Sequence, residues 1–311
     1  MSAQSAPAGG DVQALSSWRA DLAALHADWS ARGLYRDTTI ATAIAQGCAR
    51  HPDTRLIFSS GGMIAETSAG TLYAQARGLA AALAARGYGA GDVIAVQLPS
   101  WHEAAVIYAA IAELGAITLP IVTIYGPAEL TYILEQAGAR LLFVPGHWRN
   151  REFGFPATAQ AGLPRLREVI AIRAVDDEPT GAWAALLDEA QSADRLAVPT
   201  AGMQADPNGI ALIMFTSGTT SRPKGVQHTH NTLLHEWDRP IYRDQGIYLS
   251  TLPAGHYSGY SYILRPLIYG TSTVFIDQWL PERAAELIER YRVRCSGGTP
   301  VFLLTLLEAA R

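Results

Sequence analysis

Short aliphatic runs that need burial on both faces recur along this chain between segments of helical period, and this alternation limits the fold more than any other feature. Val93–Leu98, Ala116–Val122, Leu141–Val144, Val169–Ile172 and Ile210–Phe215 read as buried strands, with Tyr248–Leu252, Ser272–Ile276 and Val293–Ser296 as later ones. Between them, Leu72–Ala85, Ala104–Leu114, Glu129–Ala137, Ala182–Ala190 and Pro281–Tyr291 read as helices, and Thr299 and Pro300 open a last one. Thr229 is placed to cap a helix running to Trp237. Such a pattern predicts an α/β fold of mainly parallel sheets flanked by helices.

A length of 311 residues fits about two domains. The expected organisation is a helical N-terminal extension over 1–37, an α/β subdomain over 38–205, and a second over 206–311, the last two joined by the Ala-, Asp- and Pro-rich stretch Asp176–Pro207. Hydrophobic residues make up 49% and charged residues 17%, which suits a packed globule rather than a disordered chain. A net charge of −4 without long single-sign runs argues against a nucleic-acid partner. Glu113, Gly115 and Pro120 interrupt the most apolar stretch, so no integral membrane segment is expected. Two distant cysteines, Cys48 and Cys295, exclude a disulfide scaffold, and with no signal-peptide pattern at Met1–Asp11 they predict a cytoplasmic protein.

Of the 24 basic residues, 23 are arginine and Lys224 is the only lysine. It stands in a polar loop, Thr216-Ser217-Gly218-Thr219-Thr220-Ser221-Arg222-Pro223-Lys224-Gly225, read here as lying between a buried strand and a helix. Two glycines admit close approach of an anion, hydroxyls supply donors, and Lys224 adds a point charge, so the loop suits a polyphosphate. It is not a Walker A loop, because Lys224 is followed by Gly225. Competing readings are weaker. His228, His230 and His235 with Glu236 lack His-Glu-x-x-His spacing and read better as capping and packing than as a metal site. Gly87, Gly89 and Gly91 follow a helix, the wrong order for a dinucleotide turn. Ser217, Ser258 and Ser296 lack a nucleophile elbow. Tyr257, Tyr260 and Tyr262 read as core at strand spacing or as a substrate wall.

With these residues in view, the chain resembles the adenylate-forming acyl-CoA synthetases, whose signature is a Thr-Ser-Gly-Thr-Thr-Gly-x-Pro-Lys-Gly loop after a strand. Phe215–Val226 matches it at nearly every position, and His228-Thr229-His230 follows as in the family. Gly91-Asp92, Leu98-Pro99-Ser100, Gly115-Ala116, Pro120, Glu129-Leu130 and Tyr132-Ile133-Leu134 are similar upstream, and Leu252-Pro253 with His256-Tyr257-Ser258-Gly259 downstream. The resemblance covers Thr38–Arg311. Tyr125-Gly126-Pro127 and His147-Trp148-Arg149 look most like the branch acting on cyclohexanecarboxylate and related small acids. It departs at Ser221, where the family usually has glycine.

The resemblance implies ATP-dependent activation of a small carboxylic acid as acyl-adenylate, then transfer to CoA, with ATP, Mg²⁺ and CoA required. Under it, Thr216, Ser217, Gly218, Thr219, Thr220, Ser221, Lys224 and Gly225 would hold the nucleotide phosphates. His256, Tyr257, Gly259, Gly297 and Gly298 would border the acyl group. Lys224, Thr216 and His256 are the catalytic candidates, acting by position and charge, since a carboxylate needs no general base near neutral pH. No protein metal site is expected. The family's ribose-binding Asp, hinge and C-terminal domain are not matched, so the expectation is an N-terminal part that works with further segments or a complementing chain. A second reading stays open: a non-catalytic fragment that binds nucleotide weakly, or an interaction module using an exposed sheet edge.

Overall fold

The computed structural model describes residues 12–149, 151–173, 181–192, 201–216, 223–238 and 246–309. Two compact units are distinguished, Met1–Asp37 and Thr38–Arg311. The first carries α1 (Val12–Ala31), after which the Trp29 and Tyr35 rings meet edge to face at 5.0 Å.

The second unit is built on two sheets. Its elements are α2 (Ile40–Arg50), β1 (Arg55–Ser60), β2 (Met63–Ser68), α3 (Ala69–Ala85), β3 (Val93–Val96), α4 (His102–Leu114), β4 (Ile117–Pro120), α5 (Pro127–Ala137), β5 (Leu141–Pro145), β6 (His147–Trp148), β7 (Arg151–Glu152), α6 (Ala157–Ala161), β8 (Glu168–Ile172) and α7 (Gly181–Ser192). They continue with β9 (Ile210–Thr216), β10 (Lys224–Thr229), α8 (His230–Trp237), β11 (Tyr248–Ser250), α9 (Tyr257–Tyr269), β12 (Thr273–Ile276), α10 (Pro281–Tyr291), β13 (Cys295–Gly297) and α11 (Pro300–Ala309). One sheet has the order β13-β11-β12-β1-β2 and the other β10-β9-β4-β3-β5-β8, with β6-β7 as a small hairpin. All pairings are parallel except β1-β2, β9-β10 and β6-β7. The mainly parallel α/β fold predicted from the sequence is the fold observed. Strand pairing runs across residue 206: β9 continues the sheet of β3 and β4, while β1 and β2 join β11–β13.

The apolar payload explains why the helices lie where they do. Every residue of α4 from Ala104 to Leu114 is buried, so the helix is packed all round and contacts α3 and α9. It ends at Gly115, whose φ of 71° supplies the left-handed cap. Pro127 and Pro281 occupy first turns, where a missing N–H costs nothing. No helix among the described residues is long and apolar enough to cross a membrane.

Three local expectations are corrected. The polar loop does not run into a helix: Lys224 and Gly225 open β10, which returns antiparallel to β9 before α8 begins. β10 is mostly exposed at a sheet edge and so lacks the apolar alternation that marks a strand. The β1-β2 hairpin and α2 were not anticipated; Gly61 and Gly62, at φ 56° and 84°, form the two-residue connection that the twist of a hairpin favours. Tyr257, Tyr260 and Tyr262 lie on helix α9, not on a strand.

Glu113 is the one acid carried into the α4 core, 1% exposed and accepting from Tyr73 Oη at 3.0 Å. Desolvation raises its pKa to about 7, against the lowering effects of the Tyr73 hydrogen bond and of Arg77. In the folded state it therefore keeps its proton at pH values where the unfolded chain has lost it, so stability falls as pH rises from about 4.5 to 7 and is then level. Glu113→Gln should remove this slope and gain up to about 3 kcal/mol over wild type above pH 7. Urea denaturation at pH 5 and pH 8 checks this; parallel pH profiles for the two proteins would refute it.

Candidate functional site

Parallel strands collect ligands at their carboxyl ends, where the chain leaves the sheet in loops. Thr216 is the last residue of β9 and pairs across the hairpin with Lys224, the first of β10; Phe215 pairs with Gly225. The loop is thus framed by a fixed register, with Thr216 and Lys224 as its two posts. Ser217, Gly218, Thr219, Thr220 and Ser221 lie outside the described residues. Gly225 has a packing reason: a Cβ there would sit 3.2 Å from both Ile213 and the Phe215 ring. Behind the post, Tyr132 of α5 donates to the Pro223 carbonyl at 3.4 Å.

The segment after β11 is held by three other elements. Ser100 donates to the Leu252 carbonyl at 3.2 Å, Tyr108 of α4 to the Ala254 carbonyl at 3.0 Å, and Thr251 to the Gly297 carbonyl at 2.9 Å. His256 is the N-cap of α9, its Nδ1 accepting the Ser258 amide at 3.4 Å. That leaves Nε2 as the free ring nitrogen of this exposed side chain. Gly259 is buried one turn on, and a Cβ there would run into the Pro253 carbonyl. Gly297 ends β13 and Gly298 follows it. A Cβ on Gly297 would meet Tyr248 Oη at 2.6 Å, and one on Gly298 would meet the Phe302 ring. Both glycines therefore keep space beside Tyr248, Thr251 and Phe302.

Contacts between the two groups join them. Tyr257, which follows His256, donates to Glu236 of α8 at 3.2 Å, and its ring lies 5.3 Å from that of His228 on β10. Burial, with Glu236 beside it, raises the Tyr257 phenol, so it stays a neutral donor. Burial lowers His228, and lowers His230 to about 4. His230 Nδ1 accepts the Ile40 amide at 3.2 Å, a packing role, while Thr229 forms a reciprocal capping box with Thr232.

Sequence reasoning missed two residues that bring the sheets together. Gly255 is buried where a Cβ would collide with the Ile121 carbonyl, just after β4. Asp277 follows β12, and its Oδ2 accepts from Ser60 at 2.7 Å, Trp148 Nε1 at 2.9 Å and Trp101 Nε1 at 3.1 Å. Neither has a local signal, because each partner is distant in sequence. Within the second sheet, Gln97 after β3 adds a further tie, its amide donating to the Val122 and Tyr125 carbonyls beyond β4 at 3.2 and 3.0 Å. The result is a rim that carries a Lys224 ammonium, a Thr216 hydroxyl, the His256 imidazole and an aromatic flank, groups suited to holding an anion next to an apolar group.

Comparisons with known proteins place this chain among related ones. Among curated relatives, the medium-chain fatty-acid–CoA ligase of Escherichia coli K12 is 30% identical over 89% of this chain and 49% of its own length. Sulfoacetate–CoA ligase of Cupriavidus necator is 31% identical over 76% of this chain and 44% of its own. The chain spans about half the length of these relatives. Among solved structures, the N-terminal domain of FACL13 from Mycobacterium tuberculosis superposes with a TM-score of 0.71 at 22% identity, covering 88% of this chain and 67% of that one. The o-succinylbenzoate CoA synthetase of Bacillus subtilis with its acyl-adenylate gives 0.68 at 22% identity, covering 86% and 63%. Residues 44–311 match the family described as AMP-binding enzyme, and the chain belongs to that family.

Proposed function

We propose that this chain is the substrate-binding part of an AMP-forming ligase that activates a small carboxylic acid, of the alicyclic or aromatic kind, as its acyl-adenylate and passes it to CoA. The observation that carries this reading is the Thr216–Lys224 register, which sets a hydroxyl and the chain's only ammonium on either side of the phosphate-loop sequence. The small-acid assignment rests on the aromatic boundary, with Tyr248 and Phe302 beside Gly297 and Gly298.

In the first step a carboxylate oxygen attacks the α-phosphorus of ATP, the α–β phosphoanhydride breaks, and pyrophosphate leaves. Two anions must meet, so the protein's part is to position them and offset their charge. Lys224, Thr216 and the loop residues Ser217, Gly218, Thr219, Thr220 and Ser221 hold the departing phosphates; His256, with Tyr257 and Gly259, stands at the acyl side. Tyr257 is kept in place by Glu236. Among the described residues no three His, Cys, Asp or Glu side chains gather to hold a metal. Mg²⁺ would enter as the counter-ion carried by ATP, and no step is assigned to it. In the second step the CoA thiolate attacks the acyl carbon and AMP leaves.

Carboxylate-dependent exchange of labelled pyrophosphate into ATP, measured across aliphatic, alicyclic and aromatic acids with the longest soluble form of the protein, tests the reading. Exchange with a ring acid is expected; none with any acid, from folded protein that binds ATP, would refute it. Lys224→Ala should weaken ATP binding by about 1.5–3 kcal/mol, the range for a charge-assisted contact. An unchanged dissociation constant by titration calorimetry would remove Lys224 from the phosphate site.

A further inference from the structure

The opposite end of the first sheet carries a groove that the ligase reading does not use. It has a volume of about 560 Å³ and is lined by Arg55, Glu66, Gly246, Ile247, Arg290, Tyr291, Arg292 and Arg294. Arg55 begins β1, Ile247 precedes β11 and Arg294 precedes β13. These are the amino ends of parallel strands, so the groove opens at the opposite end of the sheet from the carboxyl-end rim, set off by the three-residue length of β11 and β13, roughly 10 Å.

Its charges are unbalanced. Among the described residues Glu66 is the only acid in the lining, and both its oxygens are engaged: Oε2 by Arg55 at 3.0 Å and Oε1 by Tyr291 Oη at 2.6 Å. Those two hydrogen bonds, Tyr291 first, lower the Glu66 pKa and keep it ionised and occupied. Arg290 and Arg55 both lie over the Tyr291 ring, at 5.4 and 5.5 Å, which orients their guanidiniums at the groove. Arg290, Arg292 and Arg294 make no ion pair with any described residue. Their spacing of two comes from an extended path after α10. It begins at Arg292, which caps the helix at φ 51°, a left-handed position where glycine is the default. The Arg294 amide then donates to the Ile247 carbonyl at 2.9 Å, fixing the lip.

We propose that this groove is a second anion site, for a ligand bearing two or more phosphate groups, separate from the nucleotide site. Among the described residues the four guanidiniums of the lining face one carboxylate, which is too little to neutralise them, and the planar donor fork of arginine matches phosphate oxygens in pairs. The groove is open to solvent, so affinity comes from several contacts together and falls with salt.

Inorganic tripolyphosphate is the probe. Titration calorimetry on the Lys224→Ala protein isolates the groove from the hairpin loop, and the result does not depend on ligase activity. The expected result is saturable binding that weakens at least tenfold when Arg292→Gln and Arg294→Gln are added, and weakens again on raising salt from 50 to 300 mM. Arg294→Lys alone should keep part of the affinity, and an unchanged thermal midpoint would show that the exposed substitutions leave the fold intact. No binding to the Lys224→Ala protein, or equal binding with and without Arg292 and Arg294, would overturn the proposal. So would capture by phosphatidylglycerol vesicles without any binding of tripolyphosphate, which would make the groove a membrane contact instead.

Discussion

Two backbones that touch without room for a side chain set the geometry of this protein. The segment after β11 passes so close to the residue after β4 that a Cβ on Gly255 would overlap the Ile121 carbonyl. β11 belongs to one sheet and β4 to the other. Their carboxyl ends are therefore fixed against each other at van der Waals distance, and the loops they emit share one rim. Contacts of this kind admit no intermediate spacing, because protein interiors are packed at crystal-like density.

The polar ties act in the same place. Asp277 gathers a hydroxyl from β1 and two indoles, one at the start of α4 and one on β6, onto a single oxygen. Beside it, Arg173 lies over the Trp101 ring at 4.3 Å and pairs with Glu103 at 2.8 Å. Satisfied networks of this sort rigidify, since every donor that breaks away leaves a costly unpaired group. A reaction that must bring a carboxylate up to a polyphosphate benefits from such rigidity, because the positioning is done before the substrates arrive.

Much of the fold was legible because its strands are buried on both faces and its helices carry strong punctuation. The predicted bounds of α10, Pro281–Tyr291, coincide with those observed, as a proline opens it and an apolar stripe runs its length. The polar loop stood out from residue types alone as a phosphate-site candidate, yet its framing was misread. β10 exposes most of its side chains at an edge, so its strand character lies in hydrogen bonds to β9 and not in a hydropathy pattern. His256 stood out as a candidate site residue, while its capping of α9 was not legible, since that depends on where the helix starts. Gly255 and Asp277 had no sequence signature at all: one matters for a neighbour more than a hundred residues away, and the other for three partners on three elements. Likewise, the Arg290-Arg292-Arg294 series is ordinary in a chain whose basic residues are almost all arginine, and gains meaning only once Arg55 and Glu66 stand beside it.

The contact between the two sheets is tested most directly by Gly255→Ala, compared with Gly89→Ala, where a Cβ would meet nothing within 4 Å. The two proteins would be measured for unfolding free energy by urea and for ATP affinity by calorimetry. The account predicts a loss of about 1–3 kcal/mol in stability for Gly255→Ala, the usual cost of overpacking. It also predicts weaker ATP binding under conditions where the variant is still folded, with Gly89→Ala close to wild type in both. A Gly255→Ala protein with wild-type stability and wild-type ATP affinity would show that the rim does not depend on this crossing.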